Sequence, residues 1–216
     1  MANIIIGPSQ IFANCYVACM TAPLASFYFL ENKMLDKLDM PLKIQMEDMS
    51  LIKRASSYDK ELWALLNKHK DFLGKYLNWP NRITTYNELV EETEKEIARW
   101  ETGERFYYYM LCDNKLVGGV YVLHIDYKHH AAEFGYWLNP EHAGKAYVSC
   151  AVKVLEEHLF KQNIVRLVIR CDVENIASAN VAQRNAYQLE GILKKNYCNQ
   201  DVFKDNKLYA KINPDS

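Results

Sequence analysis

Lysine and arginine are missing from the first 32 residues, and the stretch Ile11 to Leu30, IFANCYVACMTAPLASFYFL, carries no charge of either sign. Without a positive start it does not read as a secretory signal, and Asn14, Thr21, Pro23 and Ser26 weaken it as a membrane span. We expect residues 1–37 to be an apolar N-terminal extension and one domain to occupy 38–216. An excess of basic charge is also missing: 26 Lys and Arg against 27 Asp and Glu leave a formal net charge of −1. No local basic patch compensates, so nucleic acid is not an expected partner. Metal-ligand spacing is absent as well. Cys15 and Cys19 form C-x-x-x-C with no second cysteine or histidine pair nearby, and His129, His130 and His142 share no spacing with a pair of carboxylates. No metal is therefore expected. The six cysteines are scattered and read as buried free thiols, which points to a reducing compartment, the cytoplasm. Internal repeats and low-complexity tracts are lacking too.

What is present is a chain that is 50% hydrophobic and 25% charged, enough for one substantial core. PLKIQMED and MSLIKRAS alternate like a pair of short strands. Leu62, Leu65, Leu66, Phe72, Leu73, Tyr76 and Leu77 recur at helical spacing, and Trp79-Pro80 is expected to close that helix. TTYNELVEETEKEIARWETGE reads as a second helix with a solvated acidic face. An antiparallel meander follows in RFYYYMLC, KLVGGVYVLHIDY and AAEFGYWLN. After it come a helix from Tyr147 to Lys161 and the β-branched run IVRLVIRC, which suits a buried strand parallel to the meander's last member. A helix from Asn175 to Tyr187 and the strands GILKKNYC and KLYAKIN complete a mixed α/β architecture with a central, mostly antiparallel sheet. Trp63, Trp79 and Trp100 read as core. The run Phe106 to Tyr109 has no interleaved basic residues and reads as strand rather than a base-stacking platform.

Two segments carry chemistry. In NPEHAGKAYVS the small residues Gly144 and Ala146 precede a helix start, so backbone N–H groups and the helix dipole could meet a diphosphate; a plain turn is the alternative. In CDVENIASANVAQRNAY, Asn175 reads as a helix N-cap, and Asn175 with Ser178 also reads as a pair on one helix face aimed at a ligand. Strand alternation places Glu133, Gly135 and Trp137 on one face and Phe134, Tyr136 and Leu138 on the other.

From about Pro41 onward the chain resembles the GNAT superfamily of acetyl-CoA-dependent N-acetyltransferases, in its RimJ/RimL branch. NKHKDFLGKYLNWP, AAEFGYWLNPEHAGKAY, NIASANVAQRNAYQLEG and KLYAKI carry the likeness, in that order. Within the branch it is most similar to the ribosomal-protein-serine acetyltransferases. The resemblance implies acetyl-CoA as co-substrate and the N-terminus of a ribosomal protein as acceptor, and it allows a homodimer. It also implies roles. His142, Ala143, Gly144, Lys145, Ala146 and Tyr147 would hold the CoA diphosphate, the strand edge at Trp137 and Leu138 would pair with pantetheine, and Asn175 would bind the pantetheine arm. Ser178 would also lie near the thioester sulfur and protonate the leaving thiolate. Glu133 would take the amine's proton through water, and Trp79 and Tyr197 would border the acceptor groove.

The chain departs from the family pattern at Glu141, where Gln or Arg is frequent, and at Ala146, which replaces a glycine and permits close approach if its φ is negative. Tyr197 stands where such enzymes tend to carry a glutamate assigned as base. A small-amine acetyltransferase and a non-catalytic acyl-CoA-binding domain are the alternative readings.

Overall fold

Residues 37–216 are described by a computed structural model. Expectations for the uncharged N-terminal stretch, including Cys15 and Cys19, lie outside the described residues. Among the described residues no helix is long and apolar enough to cross a membrane.

The chain enters through two short antiparallel strands, β1 (Lys43–Gln45) and β2 (Ser50–Lys53). Helix α1 (Asp59–Gly74) is kinked at His69, whose φ of −124° and ψ of 21° are not helical. The expected closure at Trp79-Pro80 is corrected: α1 stops at Gly74, and Trp79 opens a separate turn, α2 (Trp79–Arg82). Proline costs nothing there, because a first-turn N–H has no intrahelical acceptor anyway. Helix α3 (Tyr86–Thr102) is held at its start by a capping box. Thr85 Oγ1 accepts from the Glu88 amide at 3.2 Å, and Glu88 Oε2 accepts from the Thr85 amide at 3.1 Å.

The meander is present as β3 (Phe106–Cys112), β4 (Lys115–Asp126) and β5 (Ala131–Leu138). Asp113 and Asn114, with φ of 49° and 60°, make the left-handed two-residue turn between β3 and β4. Helix α4 (Tyr147–Lys161) crosses to β6 (Arg166–Asp172), which pairs parallel to β5. Helix α5 (Ile176–Arg184) ends three residues short of the expected Tyr187 and leads into the hairpin of β7 (Gln188–Asn199) and β8 (Val202–Ile212). The eight strands form one sheet in the order β1-β2-β3-β4-β5-β6-β8-β7. The outer strand β7 shifts register twice, between Leu189 and Gly191 and between Leu193 and Tyr197.

Apolar side chains bury both faces of the sheet. On one face Phe134, Ile169 and Tyr209 pack with Val148 and Leu155 of α4. On the other, Tyr107, Tyr109 and Trp137 pack with Leu62 and Leu66 of α1 and Leu89 of α3. A buried polar chain crosses this second layer. Arg54 Nη2 donates to Thr93 Oγ1 at 2.8 Å, Thr93 Oγ1 donates to Asp59 Oδ1 at 2.6 Å, and the guanidinium lies 4.8 Å from the centre of the Tyr107 ring. Tyr107 in turn accepts the indole N–H of Trp137 at 2.6 Å, which fixes the far end of β5.

The free cysteines among the described residues are Cys112, Cys150, Cys171 and Cys198. Only Cys171 is buried; Cys150 and Cys198 are exposed, because each lies on the solvent side of its element. The expectation that these thiols are all buried is corrected to that extent.

Candidate active site

The loop between β5 and α4 is built by a tight turn. Asn139 Oδ1 accepts from the Glu141 amide at 3.0 Å, the His142 amide donates to Asn139 O at 2.9 Å, and the Ala143 amide donates to Pro140 O at 3.1 Å. Those amides are spent inside the loop. From Gly144 to Ser149 no backbone N–H finds an acceptor among the described residues. Six open donors in succession at the start of a helix form a ready anion site. Gly144 has a φ of +83° and a Cβ there would meet nothing within 4 Å, so the backbone at this point faces open space. Lys145 is exposed beside it.

Ala146 differs from expectation. Its φ is 58° and ψ 10°, the left-handed region, rather than negative. The chain must reverse between Lys145 and the first helical residue, and here an alanine makes a bend that suits glycine better. Ala146→Gly is expected to stabilise the fold by up to about 1 kcal/mol, read as a higher midpoint in thermal melts; an unchanged or lower midpoint would mean the bend is unstrained. Tyr147, beneath the loop, pins the helix start to the β3–β4 hairpin through a contact of its hydroxyl with Cys112 Sγ at 3.3 Å. That partner, more than burial, pushes its phenol up to about 12. His142 lies with its ring centre 6.3 Å from that of Tyr147. A cleft of about 520 Å³ adjoins the loop, walled in part by Lys68, His69, Glu141, His142 and Lys145.

Behind the loop the two parallel strands part. Pairing of β5 with β6 runs from Ala131 opposite Arg166 to Phe134 opposite Ile169 and then ends. Gly135, Tyr136, Trp137 and Leu138 are paired to β4 on one side and to no strand on the other. This opening is bordered on the α5 side by Ser178, whose Oγ is 2.8 Å from the Tyr136 hydroxyl. Burial pushes the Tyr136 phenol well above its ordinary range, so it stays protonated; its hydroxyl also donates to Ser178 O at 3.2 Å. Asn175 is the N-cap: its Oδ1 accepts from the Ser178 amide at 3.1 Å. Its Nδ2 has no partner among the described residues, so capping and ligand binding are compatible in one side chain.

On the opposite face, the predicted alternation holds: Trp137 joins the α1 layer and Phe134 the α4 layer. Gly135 is covered by Tyr121, whose ring would lie 2.0 Å from a Cβ at that position. Glu133 is present on this face with its side chain 13% exposed, and is held by residues that pattern reading did not single out. Arg170 Nε donates to both Glu133 oxygens at 3.0 and 2.9 Å, and His124 Nδ1 lies 3.0 Å from Glu133 Oε2. The alternation of IVRLVIRC carried a signal for Arg170, since a charged residue in an apolar strand beside the loop needs a partner. His124 and Tyr136 had no such signal, because their partners lie on distant segments.

Trp79 packs edge-on against Trp137 with ring centres 6.0 Å apart, so α2 adjoins the open end of β5. Tyr197 donates its hydroxyl to Tyr76 O at 2.9 Å, Asn78 Nδ2 donates to Cys198 O at 2.8 Å, and Asn199 Nδ2 donates to Gly74 O at 2.9 Å. The β7–β8 hairpin is thereby clasped to the α1–α2 connection. Burial first, and the nearby Asp172 carboxylate second, push the Tyr197 phenol up to about 12. Among the described residues no three His, Cys, Asp or Glu side chains converge as metal ligands.

A row of open amides at a helix start, continuous with the bare edge of two diverging parallel strands, has the chemistry to suit an extended ligand with a diphosphate at one end. The sequence model of the acetyltransferase (GNAT) domain matches residues 51–188. The chain is 30% identical over 167 residues to the ribosomal-protein-serine acetyltransferase of Escherichia coli (strain K12), covering 77% of this chain and 93% of that protein. Among solved structures it is similar to RimL, a ribosomal L7/L12 alpha-N-protein acetyltransferase in complex with coenzyme A. There the TM-score is 0.74 and the identity 29%, over 80% of this chain and 96% of that one. The microcin C7 self-immunity acetyltransferase MccE, in complex with acetyl-CoA and AMP, is as similar in fold. It has a TM-score of 0.74 and 28% identity over 77% of this chain and 93% of that one. The chain belongs to the GNAT acetyltransferase family and is close to its RimL-type members. It is an acetyl-CoA-dependent N-acetyltransferase. The residues present fit that co-substrate: the amides of Gly144 to Ser149 suit its diphosphate, and the unpaired edge of β5 with Asn175 Nδ2 suits the amides of pantetheine.

Proposed function

We propose that this enzyme acetylates the N-terminal α-amino group of a ribosomal protein, with serine as first residue, in the cytoplasm. The observation that carries the reading is the Glu133 face of the parted strands, where Trp79 packs on Trp137 and Tyr197 is tied to the α1–α2 connection, which we read as the acceptor groove. The likeness to a ribosomal-protein-serine acetyltransferase across 93% of that protein's length supports it.

In this reading the backbone from Gly144 to Tyr147 grips the diphosphate, with His142 and Ala143 shaping the turn that presents it. The edge at Trp137 and Leu138 aligns pantetheine, and Asn175 holds its arm. The amine attacks the thioester carbonyl, whose oxygen is polarised by backbone N–H groups at the divergence, and the C–S bond then breaks. Ser178, backed by Tyr136, gives a proton to the departing thiolate. Glu133, oriented by Arg170 and His124, receives the amine's proton through water. No covalent enzyme intermediate forms.

Tyr197 at a place where relatives tend to have a carboxylate is tolerable for this acceptor. An α-amino group has a pKa of about 7.7–8.0, so a tenth or more is already neutral near pH 7, whereas a lysine-type amine near about 10.4 is not. Incubation of a serine-initiated ribosomal stalk protein with enzyme and acetyl-CoA is expected to add one acetyl group at its N-terminus, read by intact mass. With Glu133→Gln the rate is expected to fall about tenfold or more. An unmodified stalk protein would count against this acceptor. The equal likeness in fold to the microcin immunity enzyme favours a second reading, a small-molecule amine acceptor. Release of free thiol in the presence of polyamines or amine antibiotics, but not of the stalk protein, would select it.

A further inference from the structure

The acceptor side of the parted strands contains a buried carboxylate that none of the roles above uses. Asp172 is the last residue of β6. Arg170, two residues earlier, bonds to Glu133 on the groove face, and Cys171 between them belongs to the opposite core, so alternation turns Asp172 toward the groove. The residue is 5% exposed. Its Oδ1 accepts from the Glu174 amide at 2.8 Å, and no Lys, Arg or His among the described residues forms an ion pair with it.

Directly across the antiparallel β6–β8 ladder stands Asn206, so the two side chains are neighbours on one face. Asn206 is 8% exposed, and its Oδ1 has no hydrogen-bond donor. Tyr197 completes the group: it pairs with Lys204, two residues from Asn206 on the same strand face, and the Asp172 charge contributes to raising its phenol. A buried carboxylate without an ion-pair partner is costly unless something donates to it, and the unpaired Asn206 oxygen beside it adds to the negative potential there. A small cation with several donors would meet that need.

We infer that Asp172, backed by Asn206, seats the acceptor's ammonium group at the floor of the groove. The inference rests on the transferase reading and deepens it, since it names what the groove recognises: a primary, positively charged amine, presented before its proton is lost. A phenol cannot supply the charge that such an amine seeks, and Asp172 supplies it beside Tyr197. The seat asks nothing of the acceptor beyond the ammonium, so it applies to a peptide N-terminus and to a polyamine alike. The walls at Trp79 and Tyr197 would then sort the two.

The test uses the full chain with CoA bound, so that no turnover occurs. Binding of a serine-initiated pentapeptide amide is compared by calorimetry with the same peptide lacking its α-amino group; spermidine is compared likewise with a neutral diol of equal length. The better-bound amine is expected to bind the wild-type protein at least about tenfold more tightly than its uncharged counterpart. Asp172→Asn, whose Oδ1 can still accept from the Glu174 amide, is expected to erase that preference while CoA affinity stays unchanged. A preference that survives in Asp172→Asn, or a wild-type protein that does not distinguish amine from counterpart, overturns the seat whether or not the variant folds. An amine preference lost in Asp172→Asn, together with an unacetylated stalk protein, keeps the seat and discards the ribosomal acceptor.

Discussion

Ser178→Ala is expected to lower kcat about a hundredfold while the dissociation constant for acetyl-CoA changes by less than about twofold. The hydroxyl lies 2.8 Å from that of Tyr136, which burial keeps protonated, and in the proposed mechanism the pair would lead a proton to the opening between β5 and β6. Removing the serine oxygen takes away the terminal donor. It leaves untouched the open amides at Gly144 and the N-cap oxygen of Asn175, which accepts from the backbone of residue 178 rather than its side chain. Binding and turnover therefore separate. Stopped-flow or steady-state kinetics against calorimetry with CoA reads the difference, and an equal loss in both would place Ser178 among the ligand-binding residues instead.

A second large effect is structural. Asp59→Ala is expected to cost about 2–3 kcal/mol of stability, because it leaves the buried Thr93 hydroxyl without its carboxylate acceptor and removes one of the two carboxylates, with Glu96, whose charge acts on the buried Arg54 guanidinium. Asp59 is 1% exposed, Thr93 0% and Arg54 5%, so water does not reach the charge left behind. Urea unfolding measures the loss directly, and the melting temperature is expected to fall on the order of 10 °C. Thr93→Val keeps both charges and is expected to cost less. A loss below about 1 kcal/mol in Asp59→Ala would show that Glu96, whose charge already acts on Arg54, is sufficient by itself. The effect bears on function through Tyr107, which lies against Arg54 on one side and takes the Trp137 indole on the other.

Much of this was legible in the amino-acid pattern where the forces are local. Helix α4 begins and ends where the periodicity of YVSCAVKVLEEHLFK does, and the Asp113-Asn114 turn follows from residues that tolerate positive φ. The parallel pairing of β6 was readable from a β-branched, mostly apolar run after a helix. Local signals misled at Trp79-Pro80, since a proline that can stop one helix also opens another. The sign of φ at Ala146 was not readable, because the required bend is set by where the loop meets the sheet rather than by the residue. The site divides in the same way. Alternation alone put Glu133 and Trp137 on one face, and N-cap chemistry placed Asn175. His124 and the Asp172–Asn206 pair became visible only when β4, β6 and β8 came together, in an arrangement that no window of sequence contains.

Strand β7 leaves the sheet with an outer flank 12 residues long, and such flanks invite templated growth, one chain's strand laid against the next. Here the flank is interrupted twice, at Leu189–Gly191 and Leu193–Tyr197, and Lys194 and Lys195 stand within the second interruption. A neighbouring molecule can find no straight run along which to zip. The same irregularities that curl the hairpin onto the α1–α2 connection therefore guard the enzyme against open-ended fibril assembly.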